Sequence, residues 1–130
     1  MDESAPAPLP DLHPLEREVM EQLWRLQPAT VREVLDAVNA ASDHVRAYTT
    51  VLTVLGRLEG KGLVARERIG RADVYRATVA HEAWVRDRAS REVDRLLDEY
   101  GDIALAHFAQ EVERLDDRRR AQLQELLDDV

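Results

Sequence analysis

The side chains best suited to specific chemistry lie together near the middle of the chain. Thr49, Thr50, Thr53 and Arg57 follow one another within a segment that has helical periodicity, so most of them share one helix face. A threonine can bond to a base edge or touch a thymine methyl group, and an arginine can bond to guanine or to phosphate. This set of residues therefore favours contact with DNA.

The distribution of charge supports the same segment. The whole chain of 130 residues has a formal net charge of -8, which by itself argues against a general nucleic-acid coat. Residues 44–76, however, hold 7 basic and 3 acidic residues, whereas the segments on both sides are acidic. The predicted DNA contacts are Arg46, Tyr48, Thr49, Thr50, Thr53, Arg57, Lys61, Arg66 and Arg71.

Three of these residues have a second interpretation. Tyr48 either packs under its helix or touches a phosphate. Lys61 either contacts DNA or neutralises the end of the helix that precedes it. Thr50 either faces DNA or points back toward the preceding helix.

Several kinds of site are excluded by composition and spacing. The chain has no cysteine, which excludes disulfides, thiolate metal sites and a cysteine nucleophile. His13, His44, His81 and His107 have no metal-binding spacing, and no nucleophile–base pair or phosphate loop occurs. We therefore expect no enzyme activity, cofactor, metal or small-molecule ligand. Without a signal peptide or a membrane-length apolar run, we expect a cytoplasmic protein.

Periodicity predicts the elements that position these residues. Residues 30–33 form a capping box for the second helix, and the third helix has an inner stripe of Val51, Leu52, Val54, Leu55 and Leu58. Residues 70–73 form a basic turn between two strands. The first predicted elements are helices at 14–27, 30–39 and 47–60 and strands at 62–69 and 74–79. Three further helices follow: one at 81–100, one that begins after a cap at Asp102, and one that begins after a cap at Asp116 or Asp117.

This order predicts a mainly α fold with a small β-hairpin. Residues 1–12 form a disordered Pro/Ala tail, residues 13–79 a winged helix-turn-helix DNA-binding domain, and residues 80–130 a three-helix dimerisation domain. The last helices carry apolar stripes that have to bury against something, and a second copy of the chain is the simplest partner. The predicted dimerisation residues are Val93, Leu96, Leu97, Leu105, Phe108, Val112, Leu123, Leu126 and Leu127.

The sequence resembles the BlaI/MecI family of penicillinase and methicillin-resistance repressors. The match is carried by residues 15–24, 30–33, 47–51, 55–63 and 74–76, and its specific part is Tyr-Thr-Thr-Val followed by Arg-Leu-x-x-Lys-Gly. The resemblance implies a homodimeric transcriptional repressor that binds a dyad-symmetric operator.

The resemblance also implies a mode of regulation. In the family, a membrane sensor metalloprotease that detects β-lactams triggers cleavage of the C-terminal region at an Asn-Phe bond. The matching position here is His107-Phe108, which keeps the Phe and lacks the Asn. Two alternatives stay open: a repressor that responds to a different signal, and a winged helix used as a protein-interaction module. Apolar residues at 49, 53 and 57 would favour the module, but Thr, Thr and Arg stand there.

Overall fold

The computed structural model describes residues 9–129, so residues 1–8 of the predicted tail and Val130 lie outside the described residues. The predicted mainly α fold with one small hairpin is confirmed. The chain divides into two compact units, and the boundary along the chain falls between Asp87 and Arg88. The elements are α1 (Pro14–Leu26), α2 (Val31–Ala40), α3 (Tyr48–Gly60), β1 (Val64–Ile69), β2 (Ala72–Ala77), α4 (His81–Tyr100), α5 (Asp102–Glu113) and α6 (Asp117–Asp128).

The first two helices begin at residues that favour a helix N-terminus. Pro14 occupies the first turn of α1, where its missing N–H costs nothing. At α2 the predicted capping box is confirmed, because the Glu33 backbone N–H donates to the Thr30 hydroxyl at 3.2 Å and the Thr30 N–H donates to the Glu33 carboxylate at 2.9 Å. Both groups would otherwise be unpaired at the helix end.

One apolar core joins the first three helices to the hairpin. Val19, Met20 and Leu23 of α1 are fully buried, as are Val34 of α2 and Leu55 of α3. Aliphatic side chains fill most of this core, in line with the low aromatic content of 5%. Its packing fixes the orientation of α3, and therefore of the residues on the opposite face of α3.

The hairpin is tighter than the sequence predicted. Residue pairs run from Val64↔Ala77 to Ile69↔Ala72, so the turn consists of Gly70 and Arg71 alone. The predicted four-residue turn is wrong, because Ala72 and Asp73 already belong to β2. Gly70 has a φ of +62°, a conformation that a two-residue hairpin turn requires and that glycine adopts freely.

An additional backbone pairing ties the hairpin to the helices. Ala29, between α1 and α2, exchanges hydrogen bonds of 3.1 and 2.7 Å with Tyr75 of β2. The Tyr75 side chain is buried in the core, which raises the pKa of its hydroxyl. The wing is therefore held from both sides of its second strand.

The inner stripe of α3 differs from the prediction at one residue. Val51, Val54, Leu55 and Leu58 are buried, but Leu52 is 41% exposed. Helical periodicity marks Leu52 as a neighbour of the stripe, yet no other element of the first unit covers that edge of the helix. The prediction that Leu52 is an inner residue is therefore wrong.

The second unit, from Arg88 onward, contains no buried side chain in its described part. Asp116 caps α6 by accepting from the Arg119 N–H at 2.8 Å, as predicted. The predicted cap at Asp102 is wrong, because Gly101 is the N-cap of α5 and Asp102 already lies in the helix. None of the helices within residues 9–129 combines the length and the apolar character that a membrane span requires.

Candidate nucleic-acid interface

The outer face of α3 is a continuous exposed surface. Thr49, Thr53 and Arg57 are exposed on it, as the sequence predicted. Together with the half-buried Thr50 and Leu15 of α1, they line a shallow groove of about 270 Å³. A row of hydroxyl groups that ends in a guanidinium matches the donors and acceptors along a major groove.

A second groove lies on the other side of this face. It has a volume of about 410 Å³ and separates the start of α2 and α3 from the hairpin. Tyr48 and Leu52 line it on the α3 side, and Arg68 and Arg71 line it on the hairpin side. The predicted reading helix and the predicted wing therefore border one shared groove.

Three of the predicted basic contacts are held by acidic partners. The Arg46 guanidinium lies 3.7 Å from Glu18, and Arg66 lies 3.8 Å from Glu59 and 3.9 Å from Asp73. The Lys61 ammonium lies 2.7 Å from Glu16. Since a paired cation has to give up or share its partner to bind a phosphate, these residues are weaker candidates than their charge alone suggests.

Arg57 and Arg71 differ from those three residues. Within the described part of the chain, neither guanidinium has a hydrogen bond or an ion pair. Arg57 stands on the exposed face of α3, and Arg71 stands at the tip of the hairpin turn. Both charges are available to an external anion.

Arg32 is a further candidate contact, which the sequence did not predict. It is the second residue of α2, and its guanidinium lies 5.4 Å from the centre of the Tyr48 ring, within range of a cation–π interaction. It also lines the groove between α3 and the hairpin. Its place just after a predicted helix start could have suggested a phosphate contact, but its proximity to Tyr48 depends on tertiary packing.

An aromatic cluster anchors the start of α4 to α1. The Trp24 indole N–H donates to the Val79 carbonyl at 2.9 Å. The centre of the Trp24 ring lies 4.6 Å from the centre of the His81 ring and 5.7 Å from that of the Trp84 ring. These aromatic contacts are structural. Among the described residues, no group of three His, Cys, Asp or Glu side chains could hold a metal.

The predicted dimerisation residues are exposed or half-buried along α4, α5 and α6. Six of them are among the exposed large apolar residues, namely Val93, Leu105, Phe108, Val112, Leu126 and Leu127, and Leu96, Leu97 and Leu123 are half-buried. Leu96 and Phe108 also line an apolar groove of about 280 Å³ with Tyr100 and Ile103. The candidate scissile bond, His107-Phe108, lies inside α5.

Lys61 forms an ion pair with Glu16, the most deeply buried acidic residue among the described residues of the first unit. Glu16 is only 2% exposed, and its Oε1 accepts from the Lys61 ammonium at 2.7 Å and from the His13 N–H at 2.8 Å. Lys61 also donates to the Asp11 carbonyl at 3.0 Å. Burial alone would raise the pKa of Glu16, but Lys61 and the His13 N–H outweigh it and lower the pKa below 4.5.

Replacing Lys61 with methionine should destabilise the first unit, because the buried Glu16 charge would lose its cation. We expect the free energy of unfolding to fall by about 2–3 kcal/mol at neutral pH, somewhat less than for a fully buried pair because Lys61 is partly exposed. Urea unfolding, followed by tryptophan fluorescence, measures this change. The double variant Glu16→Gln/Lys61→Met should recover most of the loss.

The pH dependence of this variant provides a second check. In the wild type the pKa of Glu16 is lowered, so its contribution is present above pH 4.5 and disappears as the pH falls through the lowered value. In Lys61→Met, loss of the cation moves the pKa of Glu16 upward from its wild-type value, so protonation removes the cost of the buried charge at a higher pH. The stability gap between the two proteins should therefore narrow on acidification. A gap that stays constant down to pH 3 contradicts this account.

Comparisons with known proteins identify relatives over almost the whole chain. A family model described as penicillinase repressor matches residues 12–129. The transcriptional regulator BlaI of Mycobacterium tuberculosis is 42% identical over 122 residues, which cover 88% of this chain and 85% of that protein.

Two solved structures are also similar to part of the chain. The DNA-binding domain of the repressor BlaI is 27% identical with a TM-score of 0.49 and covers 56% of this chain and 87% of its own. The monomeric Bacillus licheniformis BlaI in complex with the blaP half-operator is 27% identical with a TM-score of 0.49 and covers 57% of this chain and 88% of its own.

Proposed function

The chain belongs to the penicillinase repressor family and is a transcriptional repressor of the BlaI type, and we propose that it represses as a homodimer bound to a dyad-symmetric operator. The family consists of regulators rather than enzymes, in agreement with the absence of a predicted catalytic site. In this proposal each copy of the chain places α3 in a major groove and the hairpin along the neighbouring backbone, and the dimer acts in the cytoplasm.

The observation that carries the DNA-binding part is the exposed face of α3. Its centre and one edge carry Thr49, Thr53 and Arg57, and its other edge faces the basic hairpin. Side chains on this face can bond to base edges while Arg71 reaches a phosphate. Nuclease footprinting on the promoter region of the chain's own gene tests this part. A protected dyad-symmetric segment supports it, and an unprotected promoter contradicts it.

The second unit supports the dimeric part of the proposal. A segment with three helices and no buried side chain in its described part lacks a core of its own. Its exposed leucine, valine and phenylalanine side chains recur on all three helices, so a large apolar area remains to be covered. A second copy offers the same apolar residues and produces a closed, self-complementary interface.

We further propose that cleavage at His107-Phe108, triggered by a membrane sensor metalloprotease, relieves repression. This bond lies in the middle of α5, between the elements that would hold the dimer together. Proteases bind their substrates in an extended form, so α5 has to unwind locally before it is cut. Separation of α6 from the rest of the chain would then remove part of the apolar interface.

Mass spectrometry tests this cleavage. After incubation with the activated sensor protease, we expect fragments 1–107 and 108–130 and loss of the operator complex. The variant Phe108→Leu, which keeps an apolar side chain in α5, should remain uncut if recognition requires the phenylalanine ring. An intact wild-type chain under conditions in which the operator is nevertheless released would instead identify a different signal.

A further inference from the structure

The groove between α3 and the hairpin combines an apolar wall with a positively charged rim. Tyr48 and Leu52 form its wall on α3, and Arg32, Arg68 and Arg71 surround it. Arg68 lies 3.5 Å from Asp73, which offsets part of its charge. The groove therefore suits a partner that is anionic along its edges and has an apolar group between them.

Leu52 is the unusual member of this set. It is 41% exposed on a helix face that otherwise presents mostly polar residues, and it stands one turn after Tyr48 and one turn before Gly56. Gly56 has no side chain to shield Leu52, and nothing lies near the position that a β-carbon would occupy there. The exposed part of the Leu52 side chain therefore lies at the edge of α3 that borders the groove beside the hairpin.

The chemistry of duplex DNA matches this arrangement. Within the major groove, the C5-methyl group of thymine is the one apolar group that a base presents, and it lies between two phosphate backbones. A leucine on a helix in the major groove strengthens binding by covering that methyl group. Arginines on each side strengthen binding by neutralising the phosphates.

We propose that Leu52 selects a thymine in each operator half-site by contact with its C5-methyl group, while Arg32 and Arg71 hold the flanking phosphates. This inference rests on the proposed function, because it assumes that α3 enters the major groove. It makes Leu52 a specificity-determining residue and gives Tyr48 a supporting role beneath Arg32.

The charge on the rim favours DNA over an apolar protein partner. Three arginines and one aspartate line the groove, so a protein that covered Leu52 would have to supply acidic groups on both sides of an apolar one. A DNA strand supplies that pattern through its own backbone. If this groove held a protein instead of DNA, no thymine effect would depend on residue 52.

A thymine-to-uracil scan tests the inference. The duplex carries the segment that the wild-type chain protects in its own promoter region, and each thymine is replaced in turn by uracil, which removes only the methyl group. We expect the wild type to lose about fourfold in affinity at one thymine per half-site, the equivalent of one buried methyl group. Leu52→Ala should bind more weakly overall and show no loss at that thymine.

Two further variants make the scan specific. Leu52→Met keeps an apolar side chain and should keep the thymine effect. Leu26→Ala removes a leucine of matching exposure, 42%, from the end of α1 outside the α3 grooves, and should behave like the wild type. Thermal melting of all variants verifies that they are folded.

The outcomes separate this inference from the function on which it rests. If the wild type binds the duplex specifically but no thymine effect depends on residue 52, the assignment of Leu52 is overturned and the proposed function stands. If the wild type protects no DNA segment and binds every duplex equally, the proposed function fails, and the inference fails with it.

Discussion

Replacing Arg57 with alanine is expected to weaken binding to the operator by between about thirtyfold and about twenty-thousandfold. Arg57 is on the exposed face of α3, and its guanidinium has no partner in the described part of the chain. One arginine–base contact contributes about 1–3 kcal/mol of discrimination, and a dimer makes the contact twice. Binding to a scrambled duplex should weaken much less, because only one charge per chain is lost.

Arg71→Ala is the matched control for this prediction. It removes the same side chain from the hairpin tip, where a phosphate contact is proposed. Operator and scrambled duplexes should lose affinity by similar factors, and the dependence of log affinity on log salt should become shallower by about one unit per lost phosphate contact. Fluorescence anisotropy at several salt concentrations measures both effects. Equal specificity ratios for Arg57→Ala and the wild type would contradict the role given to Arg57.

Replacing Leu105 with aspartate should separate the proposed dimer. Leu105 is 57% exposed in the single chain, so its replacement removes little from the fold of one copy. In a dimer the substitution would place two charges in an apolar contact and remove two leucines. Together these changes should weaken the free energy of dimerisation by about 4 kcal/mol or more. The dissociation constant of the dimer should rise by a factor on the order of a thousand.

Gln110→Asp provides the control on the same helix. It adds the same charge to α5 on a face that Leu105, Phe108 and Val112 do not share. Sedimentation equilibrium should show a dimer for this variant and a monomer for Leu105→Asp at micromolar concentration. If both variants remain dimeric, the copies associate through a different surface.

Local signals made several helix starts and the exposed face of α3 predictable from sequence. The capping box at Thr30 and Glu33 and the cap at Asp116 depend on residues three positions apart, so their geometry follows from the helix itself. The exposure of Thr49, Thr53 and Arg57 follows from a core stripe on the opposite face. These features predicted the helix starts and the exposed face of α3.

Features that depend on distant neighbours were not predictable in the same way. The partner of Lys61 is Glu16, which lies 45 residues earlier in the chain, and no local pattern connects the two. Leu52 satisfies helical periodicity for the core, but its exposure depends on where the hairpin packs. Arg32 becomes a candidate contact only because α2 brings it next to Tyr48.

The two-residue turn illustrates an intermediate case. The sequence placed glycine and arginine at the hairpin tip, but it did not show that Asp73 pairs across the strands with Arg68. That pairing offsets part of the positive charge of Arg68, whereas Arg71 in the turn has no ion pair in the described part of the chain. The sequence had already predicted Arg71 as a contact, and the register adds that Arg68 faces Asp73.

Titration of the wild-type chain against its footprinted promoter segment distinguishes a dimeric repressor from other modes of DNA binding. We predict saturation at two chains per duplex, protection of two dyad-related half-sites whose centres are a whole number of helical turns apart, and an affinity that falls steeply with salt. Saturation at one chain per duplex on a single asymmetric site, or an affinity unaffected by salt, would contradict a dimeric repressor that reads DNA through α3 and the hairpin.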